Sequence, residues 1–401
     1  MHTVLDAVAV DMGGSLSKLA FFEPDSGWLG ETIRAWRRHP SYAFAVKEPS
    51  LSLRTKSGVL RFSRFETADA EALATSLALL ADLAAEHPDA GEIGDRLAVT
   101  GGGAFKHRHT LEAAFASSAA GSVSLEPSDE MAALAAGFRF LMANHGPAAQ
   151  SYWYTVDKDS MTLSARKPLD AASASLDAVL VNIGSGVSVL HLDGGPTGVA
   201  RRISGSSIGG ATFWGLCRLL TKYATFDEAI AGASAGSRDT VAMLVSDIYG
   251  SGYNAVGLDG SIVASDFGKI STMAHNPREP GVLRDADLAR ATLVLVLNNI
   301  AQISTLVADK IASSQDRGEP QLANVFFMGG MLRPGVMEDI LVTGLDFWSG
   351  GSLRAAFSHH QNYLGALGAL VGNKRSLEPS SLVATHVDGT LVTAPDDGVG
   401  P

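Results

Sequence analysis

The segment DAVAVDMGGSLSKL at 6–19 aligns without gaps on DAVLVNIGSGVSVL at 177–190. In each, an apolar run of strand length enters a Gly/Ser turn and a second such run leaves it. A shift of 171 residues, from 6 to 177, is too long for a solenoid repeat and suits a duplicated half-molecule. Taken alone, two unrelated glycine-turn hairpins would match as well. Read as a duplication, it predicts two related α/β halves that face each other across a ligand-binding cleft.

The 401 residues are enough for two or three domains of roughly 100–200 residues. Hydrophobic residues make up 46% and charged residues 18%, the balance of a globular chain. With 31 basic against 42 acidic side chains the formal net charge is −11, so no basic nucleic-acid footprint is visible. The single cysteine, Cys217, forbids an intrachain disulfide and a multi-thiolate zinc site. Its apolar setting, FWGLCRLL, reads as a buried core position. The N-terminus lacks the basic start and long apolar stretch of a signal peptide. The apolar run ATLVLVLNNIAQISTLVA carries Asn298, Asn299, Gln302 and Ser304, which are costly in lipid and point to a buried helix. A cytosolic protein without membrane contact is expected.

Strands are predicted at 4–10, Ser17–Phe22, 58–65, 96–100, 178–183, 187–192 and 323–328, with another in SYWYTV. Helices are predicted at 67–86, from Ser128 onward with Ser128 or Asp129 as cap, and at 211–222, 226–234, 238–248, 284–313 and 362–371. The loose stretch Gly146–Ser175 suggests a boundary between lobes 1–145 and 146–372. The tail 373–401, rich in Pro, Gly, Ser and Asp, reads as mobile.

Several segments could carry chemistry. Asp11, Gly13, Gly14 and Ser15 form a turn whose N–H groups could approach a phosphate, with Asp11 placed to hold Mg²⁺ directly or through water. Lys18 could add a point charge there. The bland reading is an ordinary hairpin turn, and no Walker A motif exists in the chain. Ser185 and Ser188 could hydrogen-bond a polar substrate, or simply be turn residues. Arg202 could pair with a substrate carboxylate or be a surface cation. Glu130, at a predicted helix start, could accept a proton from an alcohol, or merely complement the helix dipole. SSIGGAT and MGGM could bind anions or let chains pack closely. The doublet His359–His360 is not metal-like, because neighbours on a strand point to opposite faces.

Taken in order, VAVDMGGSLSKLAFFEP, LAVTGGGAFKH, SDEMAALAAGFRFL, LVNIGSGVSVL, RISGSSIGGATFWGLCRLLT, NVFFMGGMLR and DFWSGGSLRAAFSHHQNYLGALGAL resemble the type II (Fumble) pantothenate kinases, collinearly from about 6 to 372. The resemblance implies an α/β actin/Hsp70/sugar-kinase fold of two ribonuclease-H-like halves. It implies ATP- and Mg²⁺-dependent phosphorylation of pantothenate, the entry step of coenzyme A synthesis, by a homodimer subject to acyl-CoA feedback. Carried over by motif, Glu130 is the catalytic base. Ser185, Ser188 and Arg202 hold pantothenate. Asp11, Gly13, Gly14, Ser15 and Lys18 form the phosphate and Mg²⁺ loop, with Gly209, Gly210 and Thr212 as a second nucleotide-side motif. Trp348 reaches the neighbouring subunit's pantothenate or acyl-CoA site.

The chain departs from the family pattern in places. DEMA stands where DELD is usual, so Ala132 replaces an acid, and GGMLR puts Gly330 where an asparagine would sit. DIYGSGY and SDFGK also differ, and Ala211 ends a glycine run. These departures keep two rivals open: a kinase for another hydroxyl-bearing acid or pantothenate analogue, and a non-catalytic CoA- or nucleotide-sensing protein.

Overall fold

The computed structural model describes residues 3–144, 151–154, 156–157, 162–163, 166–169, 177–193, 200–253, 259–277, 279, 281–313 and 324–372. The expected lobe boundary near 146 and the tail 373–401 lie outside the described residues.

Strand β1 (Val8–Met12) is wholly buried, and its alternation explains why. Val8, Val10 and Met12 face an outer layer made by helices Gly27–Arg38 and Ala70–Glu86, where Ile33, Trp36, Leu73 and Leu77 lie. Ala9 turns to the opposite face, and by the same period of two so does Asp11. β2 (Leu16–Pro24) runs antiparallel to β1, and β5 (Gly58–Glu66) antiparallel to β2. β6 (Arg96–Thr100) and β7 (Ser124–Pro127) add in parallel on the other side. The path is β5-β2-β1-β6-β7, with the short β3 (Val46–Lys47) and β4 (Leu53–Arg54) both on β5.

The second sheet repeats that order. β12 (Ala178–Ile183), β13 (Val187–Leu192) and β14 (Ala200–Ser206) are antiparallel neighbours, and β17 (Asn324–Met328) and β18 (Arg354–Ser358) follow in parallel. β8 (Ser151–Trp153) and β11 (Lys167–Pro168) extend its far edge, while β9 (Val156–Asp157) with β10 (Thr162–Leu163) and β15 (Met243–Leu244) with β16 (Val263–Ser265) form two small separate ribbons. Two sheets of one order and one pairing pattern make the duplication that the repeat implied, in the ribonuclease-H-like form that the resemblance implied. The gapless alignment holds only through the first strand and the turn. Met12 pairs with Ser17 across four residues, whereas Ile183 pairs with Val187 across three. The exit strands therefore slip by one, and Ser188, opposite Asn182, is the counterpart of Lys18, opposite Asp11.

Between the sheets lie two helices, Glu130–Asn144 and Leu364–Gly372. Their Leu134, Phe138, Leu364 and Leu367 share one apolar cluster with Ala9 and Phe62 of the first sheet and Leu180 and Phe326 of the second. Phe138 meets Phe326 edge to face at 4.7 Å. The helices approach so closely that a Cβ at Gly368 would land on the Ala133 carbonyl, and one at Gly137 on that of Leu364. The 29-residue helix Asp285–Ser313 is long and apolar enough to cross a membrane by length and composition, but here it packs with helix Val336–Ser349 on the outer face of the second sheet. Cys217 is buried in the same cluster, and desolvation pushes its thiol up to about 12.

Two expectations need correction. Residues 5–7 form a 3-10 turn instead of strand, because Asp6 and Thr3 exchange side chain–backbone hydrogen bonds at 3.2 Å. Residues 238–248 are broken into a 3-10 turn (Arg238–Thr240), a short strand (Met243–Leu244) and a helix at Val245–Tyr249. The buried Asp287 pulls on this segment through the Ser237 N–H (2.9 Å) and the Thr240 hydroxyl (3.1 Å), which prevents one continuous helix.

Candidate active site

The β1–β2 turn presents Gly14 and Ser15 at an exposed tip. Gly13 N–H closes the turn on the Leu16 carbonyl at 2.9 Å. Thr67 braces it from behind: its hydroxyl donates to the Gly13 carbonyl at 3.1 Å, and its N–H to that of Ser15 at 2.8 Å. Among the described residues the N–H groups of Gly14 and Ser15 have no acceptor. Two open amides at a turn tip are what an anionic oxygen needs.

Asp11 lies behind this turn, buried, with Lys18 Nζ 3.5 Å from its Oδ2. Bare backbone encloses the carboxylate. A Cβ at Gly101 would come within 2.8 Å of Oδ1, and one at Gly365, where the final helix begins, within 2.6 Å of Oδ2. On the second half, a Cβ at Gly330 would stand 3.6 Å from Lys18 Nζ, so the ammonium spans the gap between the sheets.

Glu130 opens its helix, capped by Asp129, whose Oδ1 accepts the Ala132 N–H at 2.9 Å. Ser128 is not the cap; its N–H and carbonyl are held by Val99 and Thr100 at 2.8 and 3.0 Å. Partial burial, and then the negative charge of Asp11, hold the Glu130 carboxyl above the usual carboxylate range. Lys18 pulls the other way and Asp129 adds to the rise. Glu130, Asp11 and Lys18 thus form one electrostatic unit. A half-buried carboxyl with a raised pKa at the start of a helix is suited to proton acceptance.

The second turn, Gly184–Gly186, abuts the first: a Cβ at Gly14 would lie 3.4 Å from Ser185 Oγ. Helix Gly210–Leu220 is pressed onto it, with Gly210 N–H on the Gly184 carbonyl (2.8 Å) and Ala211 N–H on that of Ser185 (3.1 Å). A Cβ at Gly209 or Gly210 would come within 2.7 Å of the same carbonyls. Thr212 Oγ1 accepts the Gly209 N–H at 3.4 Å and donates to the Ser207 carbonyl at 3.0 Å. These glycines therefore serve close packing, and two of the helix's leading donors are already taken.

Arg202 owes its facing to an irregularity. The β13–β14 register shifts between Val189 and Leu190, so Val189 pairs with Ser204 but Leu190 with Arg202, and Ile203 is the extra residue. A bulge of this kind re-aims the side chains beyond it. It puts Arg202 on the inward face of Leu190, and the guanidinium folds back over Gly205, the residue opposite Ser188. Arg202 is exposed, and among the described residues it has no carboxylate partner. Trp348 does not join this group. It ends helix Val336–Ser349, 38% exposed, with Nε1 donating to Asn298 Oδ1 at 3.0 Å on the outer layer.

Sequence reasoning missed Thr67, for which no pattern existed, and the roles of Gly101 and Gly365. In the sequence Gly101 stands only within the string LAVTGGGAFKH, with no role attached to it.

A family model described as Fumble matches residues 7–372. The chain belongs to the Fumble family. Among Fumble relatives, pantothenate kinase 1 of Arabidopsis thaliana is 32% identical over 92% of this chain and 85% of its own length. Pantothenate kinase 2 of rice is 31% identical over 92% of this chain, which spans 38% of that longer protein. A mouse protein named 4'-phosphopantetheine phosphatase is 31% identical over 93% of this chain and 41% of its own length. Of solved structures, glucokinase of Balamuthia mandrillaris in complex with glucose aligns over 91% of this chain and 92% of its own, at 12% identity and a TM-score of 0.41. That likeness is distant; strand order and pairing carry the fold assignment.

Proposed function

We propose that this protein phosphorylates pantothenate with ATP. The supporting observation is the clustering of Glu130, Asp11 and Lys18 beside a turn with two open amides, within a chain of the Fumble family. In this reading Glu130 accepts the proton of the acceptor hydroxyl as the phosphoryl group leaves ATP. The amides of Gly14 and Ser15, with Lys18, hold the phosphate oxygens. Arg202 pairs with the acceptor's carboxylate, and Ser185 and Ser188 bond its polar groups. Gly209, Gly210 and Thr212 shape the nucleotide side.

Mg²⁺ bound with ATP would neutralise phosphate charge. Asp11 fits that role, since it is ringed by bare backbone and its charge strains the neighbouring Glu130. Among the described residues no cluster of three His, Cys, Asp or Glu side chains could cage a metal, so the ion would rest on Asp11, water and phosphates. A homodimer with Trp348 at its interface, acyl-CoA feedback and a cytoplasmic location complete the proposal.

ADP release with pantothenate and a panel of other hydroxyl acids, repeated with acetyl-CoA, tests it. Glu130→Gln should lower kcat by about 10²–10⁴-fold and leave ATP binding largely intact. Near-normal turnover in that variant removes Glu130 from its role. Preference for another acceptor moves the assignment to that substrate. Acyl-CoA binding with no transfer to any acceptor assigns a sensor instead.

A further inference from the structure

At the far end of β2 from the phosphate turn, a cavity of about 60 Å³ lies between helix Gly27–Arg38 and strands β3 and β5. That is room for roughly four waters, or one phosphoryl group. Five cations line it: Arg34, Arg37, Arg38, Lys47 and Arg61. Two carboxylates answer them. Glu23, 5% exposed, accepts from Arg37 Nη1 at 2.6 Å and from Arg61 Nε and Nη2 at 2.8 and 3.2 Å. Glu48 lines the cavity but also meets Arg64 at 3.7 Å and the Tyr363 hydroxyl at 3.4 Å. In a chain of net charge −11, this is a concentrated local excess of positive charge.

The helix dipole accounts for part of it. Arg37 and Arg38 stand in the last turn of their helix, where cations are favoured. It does not account for Arg34, Lys47 and Arg61 converging on the same space. Arg34 is fixed by one hydrogen bond, Nη1 to the Pro24 carbonyl at 3.0 Å. A guanidinium carries five N–H donors. Among the described residues Arg34 and Arg37 each give one, and Arg38 gives none. Among the described residues the Lys47 ammonium has no ion pair or hydrogen bond, and it lies 6.0 Å from the centroid of the Tyr42 ring. Ser52 and Tyr42, each 1% exposed, complete a buried wall. Guanidinium groups with unused donors around a small enclosed space match an oxyanion, whose oxygens accept in pairs, better than a halide.

We propose that this cavity binds one phosphate group, either the free ion or the phosphoryl end of a small metabolite, separately from the cleft. Calorimetric titration of the full chain with inorganic phosphate, against chloride at matched ionic strength, tests it, with methyl phosphate as the phosphomonoester arm. The expected result is saturable one-to-one binding that survives Lys18→Ala in the cleft and weakens at least tenfold in Arg38→Gln/Lys47→Gln. Both rim side chains are exposed, so the double variant should keep its fold, as checked by its melting curve. If it melts early, Lys47→Gln alone should still weaken binding severalfold. Methyl phosphate binding as well as phosphate assigns an organic ligand; binding of phosphate alone assigns the free ion. No saturable heat, or heat unchanged by the rim substitutions, overturns the proposal.

Discussion

At the scale of single residues, Glu130 is set by neighbours of opposite sign. Burial and Asp11 raise its pKa and Lys18 lowers it, so the acid limb of kcat/KM should lie above the ordinary carboxylate value of about 4.3. Lys18→Met removes the lowering charge and should move that limb to higher pH; a limb that stays put separates Lys18 from Glu130. Stability should follow the linked sign. A carboxyl whose folded pKa exceeds its unfolded one contributes fully below the unfolded value, and that contribution is lost as pH rises through the folded one. Glu130→Gln should therefore raise the melting temperature at pH 7 and lose that advantage in acid. For Arg202, replacement by Gln should raise the acceptor KM tenfold or more with kcat within severalfold, read by steady-state kinetics. Asp11 and Glu130 were legible as candidates from residue type and position. Their coupling was not, because more than a hundred residues separate them in the chain and only folding brings them together.

At the scale of elements, the contact between the two central helices controls where Glu130 sits. Gly137 and Gly368 let backbone meet backbone there, so either residue changed to Ala must push the helices apart. Gly368→Ala should cost about 1–3 kcal/mol, read by denaturant titration. It should also lower kcat, since the start of one helix carries Glu130 and the start of the other crowds Asp11. Unchanged stability and turnover would mean the helices slide without penalty. The paired hairpins, the long helix and the glycine turns were legible because each carries an unbroken period of its own. Residues 238–248 misled because a distant buried carboxylate, Asp287, overrides local preference. The aim of Arg202 was hidden for a similar reason, since a bulge exists only once two strands are paired.

At the scale of the molecule, one apolar cluster takes residues from both sheets, with the central helices between them. The halves share a core, so calorimetry should record one unfolding transition for both; two resolved transitions would show the halves to be independent. The duplication was legible from fourteen aligned residues, yet the one-residue slip after the turn was not, because hydrogen-bond register leaves no trace in composition. That slip sets Asp11–Lys18 against Asn182–Ser188. An amide has nearly the outline of a carboxylate, and a hydroxyl can hydrogen-bond where an ammonium does, so the later copy keeps the hairpin frame and discards its charges. In the proposed reaction the charged hairpin of the first half meets the polyanion and its counter-ion, while the neutral hairpin of the second offers hydrogen bonds and leaves charge pairing to Arg202 on the neighbouring strand.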